Sequence, residues 1–308
     1  MRGLKNLWGR SVLVCGCGRS GTSITSSLIA SYRDFEYSFD PPVVHWILSL
    51  SKGLDADLAK LLEIYLYREV FRGALSSRYL NSNRLDLSSA LRFKSKSEID
   101  WRTKAPLDQS LSDEKENRHR LCVKVTDAAF KLPFIKHFLP GIAIVGVVRN
   151  PLDTVSSILD KCWFSDTGDE MSVYETIPFR LEPSGLKIPL WLSDDDLDLW
   201  IGATEEERAV IYYLRSNFSL LAHLKSAVII NYDWFVENAY KCSNLLQDFL
   251  KVRQGDYTDQ ILQSVRPARD KKDAHDLILA NVRESLQDEL LKARAKIATI
   301  EINLPQQR

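Results

Sequence analysis

The chain is short of cysteine, net charge and long apolar runs, and each shortage removes a class of protein. Five cysteines in 308 residues, an odd number at irregular spacing, make no disulfide framework and point to a reducing compartment. Lys and Arg total 41, as do Asp and Glu, so the formal net charge is zero. A generalist nucleic-acid binder carries a basic excess, so no nucleic-acid partner is expected. The first apolar run, Val12 to Cys15, is broken at once by Gly16, Gly18 and Arg19, which is too short for a signal-peptide core. No stretch approaches the roughly 18 apolar residues of a membrane span. A cytoplasmic protein without a membrane span is expected. Internal repeats and low-complexity tracts are lacking as well.

What is present is a globular composition, 45% hydrophobic, 27% charged and 10% aromatic, rich enough in apolar residues to bury a core without staples. Short apolar runs, most of them rich in β-branched residues, alternate with longer helical patterns. The runs are Val12 to Cys15, Phe35 to Phe39, Leu121 to Val125, Ile142 to Val148 and Ala227 to Ile230. Helices are expected at about Thr22 to Tyr32, Ala129 to Phe138, Leu152 to Cys162 and Trp234 to Leu250. This order predicts the α/β class, a doubly wound parallel sheet flanked by helices. Two segments, about 51–119 and 163–202, lack strand character and read as helical or irregular insertions. The second holds nine acids against two cations, including the run Asp194 to Asp198, and three tryptophans, Trp163, Trp191 and Trp200. Net neutrality therefore conceals an acidic segment beside a basic remainder.

The string Gly16-Cys17-Gly18-Arg19-Ser20-Gly21-Thr22-Ser23 follows the first strand and opens the first helix. Such a turn aims backbone amides and a helix dipole at an anion. Its glycines spell G-x-G-x-x-G, and Asp40 falls about 20 residues on, which admits an NAD(P)-dependent oxidoreductase. The string also nearly spells a triphosphatase loop, but Thr22 stands at the lysine position, which argues against nucleotide hydrolysis. A non-catalytic nucleotide-binding module is a further possibility.

A second anion site lies at Val148-Arg149-Asn150-Pro151-Leu152-Asp153 and continues to Ser157. Asn150 as N-cap, Pro151 at the first helical position and Asp153 in the first turn account for a helix start. They do not account for Arg149 at the carboxyl end of the most apolar strand, where ligands of α/β sheets bind, or for Ser157 two turns on.

Both strings resemble sulfotransferases that use 3′-phosphoadenosine 5′-phosphosulfate, most closely the carbohydrate and tyrosylprotein branches. Cys17 to Ser23 resembles their P-loop-like 5′-phosphosulfate loop, with Arg19 where the cytosolic enzymes carry lysine, and Arg149 with Ser157 resembles the 3′-phosphate motif. Lys124 in Cys122-Val123-Lys124-Val125-Thr126 and the stretch Val228 to Phe235 match further family segments, so the resemblance runs with gaps from about residue 11 to 250. It implies one sulfotransferase domain over 1–308, with both insertions on the acceptor side. It implies sulfuryl transfer to a hydroxyl of a carbohydrate or small-molecule acceptor, with no metal.

The implied donor-binding residues are Gly18, Arg19, Ser20, Gly21, Thr22, Ser23, Arg149, Ser157 and Arg266, the last within a basic group with Arg269, Lys271 and Lys272. The implied catalytic residues are Arg19, Lys124 and, as general base, Asp40 before Pro41, its pKa raised by burial. Glu36 is the alternative base. Thr126 stands where the cytosolic branch has its catalytic histidine. His45 reads as a pocket or core histidine, and Cys15 and Cys17 have no matching Cys/His pair for a metal.

Overall fold

The structure, a computed structural model, describes residues 7–41, 44, 45, 47, 56–75, 81, 83–86, 89–104, 119–165, 179–181, 186–266 and 272–305. The five apolar runs form strands within a residue or so of where the sequence places them. These are β1 (Val12–Gly16), β2 (Phe35–Phe39), β3 (Arg120–Lys124), β4 (Ala143–Val148) and β7 (Val228–Asn231). They pair in parallel in the order β2-β3-β1-β4-β7, and β8 (Ile302–Asn303) closes the β7 edge antiparallel.

Alternate residues of the central strands feed two separate cores, one on each face of the sheet. From β1, Leu13 and Cys15 enter one core while Val12 and Val14 enter the other. The helices that cover these faces are α1 (Thr22–Ala30), α2 (Pro151–Leu159), α3 (Glu205–Leu221), α4 (Tyr232–Glu237), α5 (Ala239–Leu250), α6 (Lys272–Asn281) and α7 (Glu284–Ala298). α2, α3 and α7 bury Val155, Leu214 and Leu290 in the first core, and α1 and α5 bury Leu28 and Leu246 in the second. This is the doubly wound α/β arrangement.

Several boundaries differ from the sequence reading for local reasons. The expected helix over Trp234 to Leu250 breaks at Asn238, whose φ of −126° and ψ of 38° are not helical. The helix expected from Ala129 begins as a 3-10 turn, Thr126–Lys131, and becomes α-helical at Leu132–Phe138 with Pro133 in its first turn. The 163–202 insertion has strand character after all: β5 (Phe179–Leu181) and β6 (Lys187–Pro189) pair as an antiparallel hairpin. Three-residue strands are too short to show a period of two. Nor is the acidic run purely solvated, because Asp196 accepts from Arg215 at 2.7 Å while Asp194 and Asp195 stay exposed. In the 51–119 insertion a helix over Ala56–Tyr65 continues into π-helical Leu66–Phe71. No helix among the described residues is long and apolar enough to cross a membrane.

Strand order decides where the site lies. β1 is flanked by β3 and β4, so the chain leaves it in opposite directions and a crevice opens at its carboxyl end. β2 is next to β3, not β1. In the dinucleotide fold the second strand lies beside the first, whereas here a whole strand separates the glycine loop from the acid at the end of β2.

Candidate active site

β1 ends at Gly16 and α1 starts at Thr22, so the loop between them is set by two well-packed elements. Gly21 caps α1 with a φ of 98° and no side chain to cap it. The amides of Thr22 and Ser23 therefore have no partner among the described residues, and with the helix dipole behind them they form an anion cradle. A Cβ on Gly21 would overlap the Tyr232 ring, and one on Gly18 would overlap the Trp163 ring. The Gly18 amide donates to the Tyr212 hydroxyl at 3.1 Å. Arg19 holds a left-handed φ of 69°, a strain of about 1–3 kcal/mol of the kind found at ligand sites. Ser20 is fully buried. Its buried hydroxyl donates to the carbonyls of Cys17 and Val147 at 2.6 and 3.2 Å, and its amide to Cys17, so it ties the loop to β4.

The two anion motifs, 130 residues apart in sequence, meet here. Arg19 Nε donates to Ser157 Oγ at 3.1 Å, and Arg149 Nη1 donates to the Arg19 carbonyl at 3.1 Å. Although Arg19 is exposed as a residue, desolvation of its guanidinium and then the charge of Arg149 lower its pKa. Two cations this close favour an anion between them. Arg149 is held from several sides: its carbonyl accepts from Tyr213 Oη at 2.7 Å, its guanidinium lies 5.3 Å from the Tyr232 ring centroid, and Nε is 3.8 Å from Asp233. That Nε is buried with no hydrogen-bond partner among the described residues. Asn150 caps α2 by accepting from the Leu152 amide at 3.0 Å, as the sequence leads one to expect.

On the other side of β1, Lys124 ends β3 and its ammonium meets the Asp40 carboxylate. The Thr126 amide and hydroxyl donate to Asp40 Oδ1 at 3.3 and 3.5 Å, and His45 Nε2 lies 3.6 Å from the same oxygen. Asp40 has a left-handed φ of 38°. Burial pushes its carboxyl up, but Lys124 and His45 outweigh burial and hold it at about 2. The expected elevation is therefore reversed. Burial likewise lowers the His45 imidazole, but contact with Asp40 and the charge of Asp127 outweigh it and the net shift is upward. Glu36 is buried in β2 against Lys94 at 3.1 Å and His119 at 3.3 Å, so it is committed elsewhere.

Of the remaining expectations, Arg266 is exposed and its carbonyl accepts from the Tyr232 hydroxyl at 3.4 Å. Arg269 and Lys271 lie outside the described residues, as does the side chain of Lys272. Trp200 is core and Trp191 stacks on Phe130 at 4.5 Å, while Trp163 packs over Gly18. Sequence reasoning misses Tyr212, Tyr213 and Asp127. The two tyrosines sit on α3, whose start is nevertheless written as Thr204-x-x-Glu207, a capping box that forms in full.

No curated protein matches the chain significantly. Among solved structures, the sulfotransferase domain from the curacin biosynthetic pathway has 14% sequence identity and a TM-score of 0.46, with 94% of this chain and 98% of that one covered. A sulfotransferase from Alicyclobacillus acidocaldarius has 12% identity and a TM-score of 0.44, with coverages of 94% and 95%. Residues 11–180, more than half of the chain and including the loop, Asp40, Lys124, Arg149 and Ser157, match the profile of the sulfotransferase family, and the chain belongs to that family.

Proposed function

We propose that the protein transfers a sulfuryl group from 3′-phosphoadenosine 5′-phosphosulfate to a hydroxyl of a carbohydrate or small-molecule acceptor. The observation that carries this reading is the meeting of Arg19, Ser157 and Arg149 beside the uncapped start of α1. One nucleotide with phosphates at both ribose ends suits two anion sites in a single crevice. The amides of Gly21, Thr22 and Ser23 hold the 5′-phosphate, and Arg149 with Ser157 holds the 3′-phosphate. Arg266 closes the nucleotide side.

In the transfer, the acceptor oxygen bonds to sulfur as the sulfur–oxygen bond to the 5′-phosphate breaks. Arg19 neutralises the leaving oxygen and Lys124 faces the sulfuryl group, which is positioning and charge stabilisation rather than covalent catalysis. The hydroxyl proton goes to Asp40, with His45 beside it. Asp40 is a weak base while Lys124 pairs with it. An anionic sulfuryl group drawing Lys124 away restores its basicity, so base and donor are coupled. The sulfuryl group bears less charge than a phosphoryl group, and no metal is required. The acidic 163–202 segment repels acidic peptides, which favours the acceptor class named. One domain spanning 1–308, in a cytoplasmic setting, is part of the same reading.

The dinucleotide alternative loses its ribose-binding acid, because Asp40 is held by Lys124, Thr126 and His45 and lies two strands from the loop. Thermal-shift titration with adenosine 3′,5′-bisphosphate and with NAD(H) separates the two. Saturation at 100-fold over Kd adds about 2.7 kcal/mol to stability. A shift is expected with the bisphosphate, and a shift with NAD(H) alone overturns the proposal.

A further inference from the structure

Asp127 is a buried carboxylate without a part in the reaction as described. It lies in the 3-10 turn after β3, directly after Thr126, and is 7% exposed. Its Oδ1 accepts from the Tyr212 hydroxyl at 2.8 Å, and that hydroxyl accepts the Gly18 amide at 3.1 Å. Its Oδ2 is buried with no hydrogen-bond partner among the described residues, a costly arrangement that asks for a reason.

The link between Asp127 and the loop is stiff. Tyr212 is fully buried, with Phe164 and Trp191 at 5.5 Å, Phe130 at 5.8 Å and Trp163 at 6.3 Å between ring centroids. A ring so enclosed has little room to swing. On its other side, Asp127 adjoins the proton-accepting cluster, since Thr126 donates twice to Asp40. The charged groups that act on His45 are Asp40, Asp127 and Lys124; those that act on Asp127 are His45, Asp40 and Lys124. The two carboxyls are driven apart, Asp40 down to about 2 and Asp127 upward by burial.

We propose that Asp127 is a positioning residue of the transfer site. Through Tyr212 it fixes the Gly18 amide, and from its place directly after Thr126 it acts on the Asp40 and His45 cluster, so one buried group sets both the donor loop and the proton-accepting cluster. The inference rests on the sulfotransferase reading of this site, but its test does not require an acceptor.

Two variants separate the two halves. Asp127→Asn keeps an acceptor for Tyr212 and removes the charge. The NMR titration midpoint of His45 is expected to fall by about half a pH unit or more, with adenosine 3′,5′-bisphosphate affinity held within about twofold by calorimetry. Tyr212→Phe keeps the ring and removes the link. Hydrogen exchange at the Gly18 amide is expected to quicken about tenfold, with bisphosphate affinity down by about as much. An unmoved His45 midpoint in the first variant overturns the inference, as does unmoved Gly18 exchange in the second. If Tyr212→Phe does not fold, the Asp127→Asn titration decides alone. Failure of the wild-type protein to bind the bisphosphate would overturn the donor assignment instead, and leaves both NMR readouts standing.

Discussion

Arg149 is the residue on which the donor site turns, and its environment gives a quantitative expectation. Its Nε is buried with no hydrogen-bond partner among the described residues and only the Asp233 carboxylate at 3.8 Å nearby, so it is largely desolvated in advance for an anion. A hydrogen bond to a charged group contributes about 1.5–3 kcal/mol, which makes Arg149→Ala about 10- to 100-fold weaker for adenosine 3′,5′-bisphosphate by calorimetry. Asp40→Asn is expected to keep that affinity and to slow sulfate transfer by about 10²- to 10⁴-fold, the range of a lost general base. An unchanged rate would remove Asp40 from the mechanism. Arg19, Lys124, Arg149 and Ser157 are legible in the sequence because each lies within a contiguous string at a strand end. Asp127, Tyr212 and the His45 contact are not, because they come from separate elements brought together by packing alone.

At the scale of elements, the glycine loop and the helices beside it make different demands. Gly21 must keep a φ of 98° against the Tyr232 ring, so Gly21→Ala is both strained and crowded. It is expected to cost about 1–3 kcal/mol from backbone strain alone, and more from displacing Tyr232, which lies beneath Arg149. Urea unfolding with and without bisphosphate would show both losses. α3 begins with the reciprocal Thr204–Glu207 capping box, and Thr204→Ala should lower stability by about 1 kcal/mol without altering nucleotide affinity. The five parallel strands could be read from sequence because each is a compact, largely apolar run buried on both faces. α3 escaped notice because its face is mixed, with Glu207, Arg208 and Asn217 buried among its apolar residues, and the β5/β6 hairpin because it is too brief.

For the molecule as a whole, acid is the informative stress. Asp40, opposed by burial but pulled down by Lys124 and His45, and Glu207, hydrogen-bonded by Arg283, are both held at about 2 in the fold. Their ordinary values are 3.8 and 4.5. A depressed carboxyl contributes stability that is complete above its unfolded value and is lost as pH falls through its folded value. Thermal stability should therefore hold down to about pH 5 and decline from there toward pH 2. Combining Asp40→Asn with Glu207→Gln should flatten that decline in melts followed by circular dichroism. A steep fall retained in the double variant would locate the acid sensitivity elsewhere.

β7 leads directly into Tyr232 and Asp233 beneath Arg149, and among the described residues its edge is closed by β8, with the Asn231 amide donating to the Glu301 carbonyl at 2.9 Å and Asn231 Nδ2 to the Ile297 carbonyl at 3.1 Å. β8 follows the other described strands in sequence, so during translation β7 presents an open edge until residues 302 and 303 are available to pair with it. An uncovered edge is a template for pairing with other chains. Mispairing during that interval would fall on the strand that leads into Tyr232 and Asp233 beneath Arg149.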